Sequence, residues 1–187
     1  MKPQHLIIYT EEESAKKFLN EILKRIWEEY TLNGRYTVIS ANGKYDQEHQ
    51  LARKLKGFAN NQGCLIVLRD QDNDACKVVK QRYVSQIQTI WKQEFKVRFL
   101  CKELETCYFS DPKATKEVLG IKVQLKKPCD EIDSPARELQ KLLGSTTHFS
   151  KTTNAIKLGR CIDYKNPTSP SFKLLMSTIF EFLQLHQ

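Results

Sequence analysis

The period of the hydrophobic positions changes several times along the chain, and each change marks a new element. His5-Leu6-Ile7-Ile8-Tyr9 is an apolar run of strand length, whereas over residues 14–30 the apolar side chains fall at Phe18, Leu19, Ile22, Leu23 and Ile26, the spacing of one helix face. Residues 36–40, rich in β-branched and aromatic side chains, predict a second strand, and the Asn42-Gly43 turn leads into a helical pattern over about residues 46–60. Cys64-Leu65-Ile66-Val67-Leu68 is apolar without alternation, as a strand covered on both faces must be. A third helix over about residues 75–91 and a fourth strand over residues 96–101 follow.

Strands alternating with helices predict an α/β fold, with a mainly parallel central sheet, right-handed crossovers and flanking helices. Beyond residue 101 the pattern is less regular. Helical pieces are predicted near residues 104–109, 112–118 and 135–143, then a loop-rich stretch and a C-terminal helix from about Ser171; residues 122–133, with Pro128, read as an exposed connection. With 187 residues and no internal repeat, the chain suits a single domain, with a core over about residues 1–110 and a helical, loop-rich C-terminal extension over about residues 111–187.

In an open α/β sheet, ligands bind beyond the carboxyl ends of the strands, and here those ends are acidic. Glu11-Glu12-Glu13 follows the first strand, Arg69-Asp70-Gln71-Asp72-Asn73-Asp74 the third, and Lys102-Glu103-Leu104-Glu105 the fourth. Carboxylates gathered at one edge repel one another unless a cation neutralises them, and hard oxygen donors favour Mg²⁺ or Mn²⁺. Either acidic segment alone would pass as helix-terminal acids beside a macrodipole or as a capping loop. Their equivalent positions after separate strands make a metal centre the stronger expectation.

Charge adds a second pointer. Lys and Arg outnumber Asp and Glu to give a net charge of +8 and an isoelectric point near 9.1, a field that attracts polyanions. Lys44, Arg53 and Arg69 are candidate contacts to substrate phosphates. Gly43-Lys44 is not a P-loop, because the glycine-rich spacing before it is missing. The six cysteines are scattered, without the C-x-x-C pairs of a zinc or redox site. No Ser-His-Asp or Cys-His arrangement is supported by spacing, and His148 is an isolated loop histidine near Lys151 in sequence. The N-terminus lacks the features of a secretory signal, so a cytoplasmic protein without membrane contact is expected.

An apolar strand ending in Glu11, a D-x-D pair at Asp70 and Asp72 after a later strand, and the βαβα order between them resemble the Toprim domain of topoisomerases, primases and overcoming-lysogenization-defect nucleases. More narrowly, the chain resembles a small bacterial Toprim-like family of unknown function, often encoded beside an ATPase. That likeness runs through Thr10-Glu11-Glu12-Glu13-Ser14, Gly43-Lys44, Arg69-Asp70-Gln71-Asp72, Cys101-Lys102-Glu103-Leu104-Glu105 with Tyr108, Asp111-Pro112, Asp130-Glu131-Ile132-Asp133, Ser150-Lys151-Thr152 and Ser169-Pro170-Ser171-Phe172. It is carried by order and spacing rather than by any one motif.

The resemblance implies a Rossmann-like Toprim fold in which Glu11 is a general acid/base or metal ligand and Asp70 and Asp72 hold the metal. Glu103 and Glu105 resemble the acids that related nucleases use for a second ion, and Lys151 lies where a cation could meet a transition-state phosphate. Glu12 stands where many Toprim proteins have glycine. The expected function is therefore a Mg²⁺- or Mn²⁺-dependent nuclease or other phosphoryl-transfer enzyme acting on DNA or RNA. On family analogy alone it is the effector of an ATPase-coupled anti-phage or plasmid defence system, with a homodimer compatible. The competing expectations are a noncatalytic Toprim-like module that docks onto an ATPase, and a nucleotidyl transferase or small phosphoesterase with the same metal chemistry.

Overall fold

The computed structural model describes residues 5–58, 63–144 and 150–185. Four strands form the sheet: β1 (His5–Thr10), β2 (Arg35–Ser40), β3 (Gly63–Asp70) and β4 (Phe95–Leu100). All pair in parallel, in the spatial order β2-β1-β3-β4. Helices α1 (Glu13–Glu29), α2 (Lys44–Lys56) and α3 (Cys76–Ile90) make the crossovers. The α/β fold with an all-parallel central sheet is Rossmann-like, as the alternating pattern predicts.

Side chains leave a strand on alternate faces, so β1 and β3 feed two separate cores. Ile7, Tyr9, Leu65 and Val67 pack beneath Leu51 and Leu55 of α2 and Val79, Tyr83 and Ile87 of α3. Leu6, Ile8, Ile66 and Leu68 face Phe18, Leu19, Ile22 and Ile26 of α1 on the other side. This double cover explains the uninterrupted apolar run of β3. It also fixes the topology: the connection leaving β1 leads to one side of it and the connections leaving β2 lead to the other, which places a switch point between the carboxyl ends of β1 and β3.

The C-terminal part closes the α1 face. It comprises α4 (Thr106–Phe109), α5 (Pro112–Leu119), a 3-10 turn at Cys129–Glu131, α6 (Pro135–Leu143), α7 (Lys151–Cys161) and α8 (Pro170–Leu183). Phe172, Leu175, Met176, Ile179 and Phe180 of α8 join the α1 core, and Phe18 meets Tyr108 and Phe172 at ring separations of 5.6 and 5.8 Å. The extension is thus continuous with the sheet's own core.

Three expectations need correction. α7 occupies a stretch expected to be loop; its buried positions, Asn154, Ala155, Leu158 and Gly159, are mostly too small or polar to show a helical apolar stripe. They are small because α1 lies against them, and a Cβ at Gly159 would stand 2.6 Å from the Phe18 carbonyl oxygen. Second, the connection over residues 122–133 is only partly exposed, since Val123, Cys129 and Ile132 are buried in the α1 core. Third, β3 runs to Asp70, so Arg69 and Asp70 belong to the strand and not to a following loop. The expected end of α2 at residue 60 lies outside the described residues; α2 itself ends at Lys56. Among the described residues no helix is long and apolar enough to cross a membrane.

Candidate metal centre

Glu11 leaves β1 at the switch point, and Asp70 ends β3 beside it. The backbone of Asp70 partly offsets the rise of the Glu11 carboxyl, and the backbone of Leu104 does the same for Asp70. Two further strand-end loops are tied in by main chain: Gly43 N–H donates to the Glu11 carbonyl (3.0 Å), and Asp72 N–H donates to the Lys102 carbonyl (2.9 Å). Asp72 and Lys102 both adopt the left-handed backbone region, at φ 51° and 61°. Such conformations are uncommon for residues with a Cβ and concentrate at functional sites. The backbone of Ala136 in α6 partly offsets the rise that burial imposes on the Glu103 carboxyl, while Glu105 is buried at the start of α4.

Burial and neighbouring charge act on these acids together. The Glu11 carboxyl is pushed up to about 7, first by burial and then by the charge of Asp72, against the opposing pull of Arg69. Burial drives Asp70 well above the usual carboxylate range, and Glu11, Glu105 and Glu12 add to it. Glu105 is likewise raised to about 7 by burial, partly offset by Lys151. Glu11, Asp70 and Asp72 thus act on one another across the ends of β1 and β3, while Lys151 acts on Glu105 and Glu103 and forms an ion pair with Glu12 at 3.5 Å. Glu12 itself had no expected role. Its backbone is extended (φ −130°), so nothing there calls for glycine.

The candidate phosphate contacts are placed differently from one another. Lys44 pairs with Asp72 at 3.1 Å on the rim. Arg69 is buried beneath the acids, where its guanidinium is bonded to Asp74 and lies 4.0 Å from Glu11 and 3.8 Å from Glu48. Arg53 is exposed further along α2 and is not among the charges that act on the cluster. His148 lies outside the described residues.

Two residues invisible to pattern reasoning brace the floor. Gln47, fully buried, donates to the carbonyls of Tyr9 (3.2 Å) and Leu68 (2.8 Å), bridging the carboxyl ends of β1 and β3, and accepts from the Tyr83 hydroxyl (2.9 Å). Tyr83 in turn accepts from Arg69. In sequence Gln47 is one more polar residue in an amphipathic helix, and no signal marks it. Other motif residues prove to be caps: Asp111 accepts from Ala114 N–H at the start of α5, and Asp130 accepts from Ser171 N–H at the start of α8.

The donor set can be tested against a divalent ion. The Glu11 Oε2 atom is buried without a hydrogen-bond partner, with Arg69 Nε, itself unbonded, 4.0 Å away. The donors are all hard oxygens. Yet among the described residues no three acidic, histidine or cysteine side chains lie close enough to hold one ion together. Mg²⁺ does not require such a cage, since it keeps several waters and commonly binds through one or two carboxylates plus substrate phosphates. The residues fit an ion of that kind and not an all-protein site.

The family described as Domain of unknown function (DUF4276) matches residues 10–179. The chain belongs to this family. The match opens at Thr10 and closes within α8, so the acidic strand ends, Lys151 and the C-terminal helices over the α1 core all fall inside the family's span. No curated protein and no solved structure matches the chain.

Proposed function

We propose that the chain is a divalent-metal-dependent phosphodiesterase of Toprim-like design acting on nucleic acid. The observation that carries this reading is the placement of Glu11 and Asp70 beside the switch point between β1 and β3, where burial and neighbouring acids raise both carboxyls, Glu11 to about 7. A bound Mg²⁺ or Mn²⁺ supplies Lewis-acid polarisation of a phosphodiester and neutralises charge there. Glu11, titrating at about 7, is suited to take a proton from an attacking water or return one to a leaving oxygen. Lys151, half-exposed at the start of α7, can set its ammonium against a phosphate oxygen as charge builds. A cavity of about 570 Å³ beside α6 carries Lys126 and Arg137 on its walls, with Lys127 and Lys141 paired there to Asp133 and Glu138, and its surplus of cations suits a phosphate backbone.

One observation favours a second reading, a noncatalytic module that docks onto an ATPase. Lys44, Arg69 and Lys151 already pair with acids, and among the described residues no three carboxylates are gathered for an ion. Incubation of the purified chain with DNA, RNA and tRNA, with Mg²⁺ or Mn²⁺ and with chelator, separates the two. The enzyme reading expects metal-dependent cleavage that drops by about 100-fold or more in both Glu11→Gln and Asp70→Asn. Identical traces from wild type and variants would remove it.

A further inference from the structure

Tyr45 is three-quarters exposed, the most exposed large hydrophobic side chain among the described residues, and it lies in the first turn of α2. Its ring lies 6.0 Å from the Lys44 ammonium, which itself sits 3.1 Å from the Asp72 carboxylate. A cavity of about 320 Å³, lined by Glu12, Asn42, Gly43 and Lys151, opens at the turn that leads into α2. From Tyr45 the outer face of α2 continues at helical spacing through His49, Arg53 and Lys56, all exposed.

The acids of α2 do not cancel this stripe. Asp46 accepts from the Asn42 N–H (3.0 Å), and Glu48 is held by Arg82 (3.2 Å) and Arg69 (3.8 Å). Arg53 and Lys56 have no ion pair among the described residues. The helix thus presents an aromatic ring at its site-facing end and a run of uncommitted cations leading away from it.

We infer that the outer face of α2 is a track for single-stranded nucleic acid, with Tyr45 as a stacking platform for an unpaired base and Arg53 and Lys56 as contacts to the phosphates that follow. This rests on the nucleic-acid reading above and narrows its substrate class. An aromatic face can stack only on a base whose own face is free, which a strand offers and the interior of a duplex does not. Cations spaced along one helix side then follow the backbone without reading sequence. Stacking on Tyr45 would hold the strand one residue from Lys44, whose partner Asp72 belongs to the acidic site.

The test is fluorescence anisotropy in chelator, so that no cleavage occurs, with a labelled oligothymidylate and the same strand annealed to oligoadenylate. Wild type should bind the single strand more tightly than the duplex. Tyr45→Ala should weaken single-strand binding by about ten-fold or more while leaving duplex binding unchanged, and Tyr45→Phe should keep it. The paired variant Arg53→Ala/Lys56→Ala should weaken both substrates and flatten the salt dependence. Because Tyr45 is exposed, its removal should not alter the melting temperature. Equal binding by wild type and Tyr45→Ala, or an equal loss on both substrates, overturns the inference and assigns that face to another kind of partner, while cleavage in the Mg²⁺ assay would still uphold the enzyme. Tyr45-dependent strand binding without any cleavage would sink the enzyme and keep the track, and wild-type protein that binds neither substrate sinks both.

Discussion

Glu11 and Glu105 are acids that the fold makes reluctant to ionise, and the sign of that reluctance can be measured. Unfolded-chain glutamates titrate near 4.5, whereas these two titrate at about 7 in the folded protein. Between those values the folded state binds more protons than the unfolded one, so metal-free stability is greatest below about 4.5, falls as pH rises through the window, and levels off above about 7. A melting-temperature series across that range should show the decline attributable to these groups. Glu11→Gln should make it shallower, because a neutral amide has no charge to bury. Mg²⁺ should raise the melting temperature at pH values above the window and do little below it, since cation and proton compete for the same oxygens. A flat profile, or equal effects of Mg²⁺ at both ends, would mean that these carboxyls are not buried together.

At the scale of elements, the site depends on contacts that hold helices and strand ends in place. α7 brings Lys151 to the acids, and it reaches them only because Gly159 lets it lie against α1 with a backbone contact that any side chain would break. Gly159→Ala should therefore cost about 1–3 kcal/mol in urea unfolding, where the same change at an ordinary exposed helix position would gain about 1 kcal/mol. Gln47 joins the ends of β1 and β3 from beneath. Gln47→Leu, close to it in size, leaves two strand carbonyls and the Tyr83 hydroxyl without their partner, and should cost about 1–3 kcal/mol for buried groups left unsatisfied. If nuclease activity is found, this variant should lower it further than its stability loss explains, because Glu11 and Asp70 are positioned by those two strands. Full activity in Gln47→Leu would show that the floor does not set the site's geometry.

Across the whole molecule, the two cores have different consequences. The α2/α3 face is complete within the first hundred residues, but the α1 face is covered by α4, α7 and α8, so Phe18, Leu19 and Ile22 would be bare without them. A chain cut after residue 110 should lose its cooperative thermal transition and expose apolar surface to a dye such as ANS; a sharp two-state melt from that fragment would contradict the shared core. The net charge of +8 also acts at this scale, and binding to any nucleic acid should weaken steeply with added salt.

The sequence by itself determined the alternation of strands and helices through residue 100, the double burial of β3, and the presence of acids at three strand ends, because each follows from local period and from the chain positions next to a strand. It also made Glu11, Asp70 and Asp72 worth suspecting. It did not disclose α7, whose buried face is small and polar by necessity of close packing, nor Gln47, whose role exists only once β1 and β3 lie side by side. Nor could it separate Lys44 from Arg69: both follow the same logic of a basic residue near an acidic strand end, yet one reaches the rim and the other is enclosed below it. Only the tertiary structure chose the strand order that sets Glu11 against Asp70, since the neighbours of a strand are decided by which helices can cover which face, and no property of residues near either acid encodes that choice.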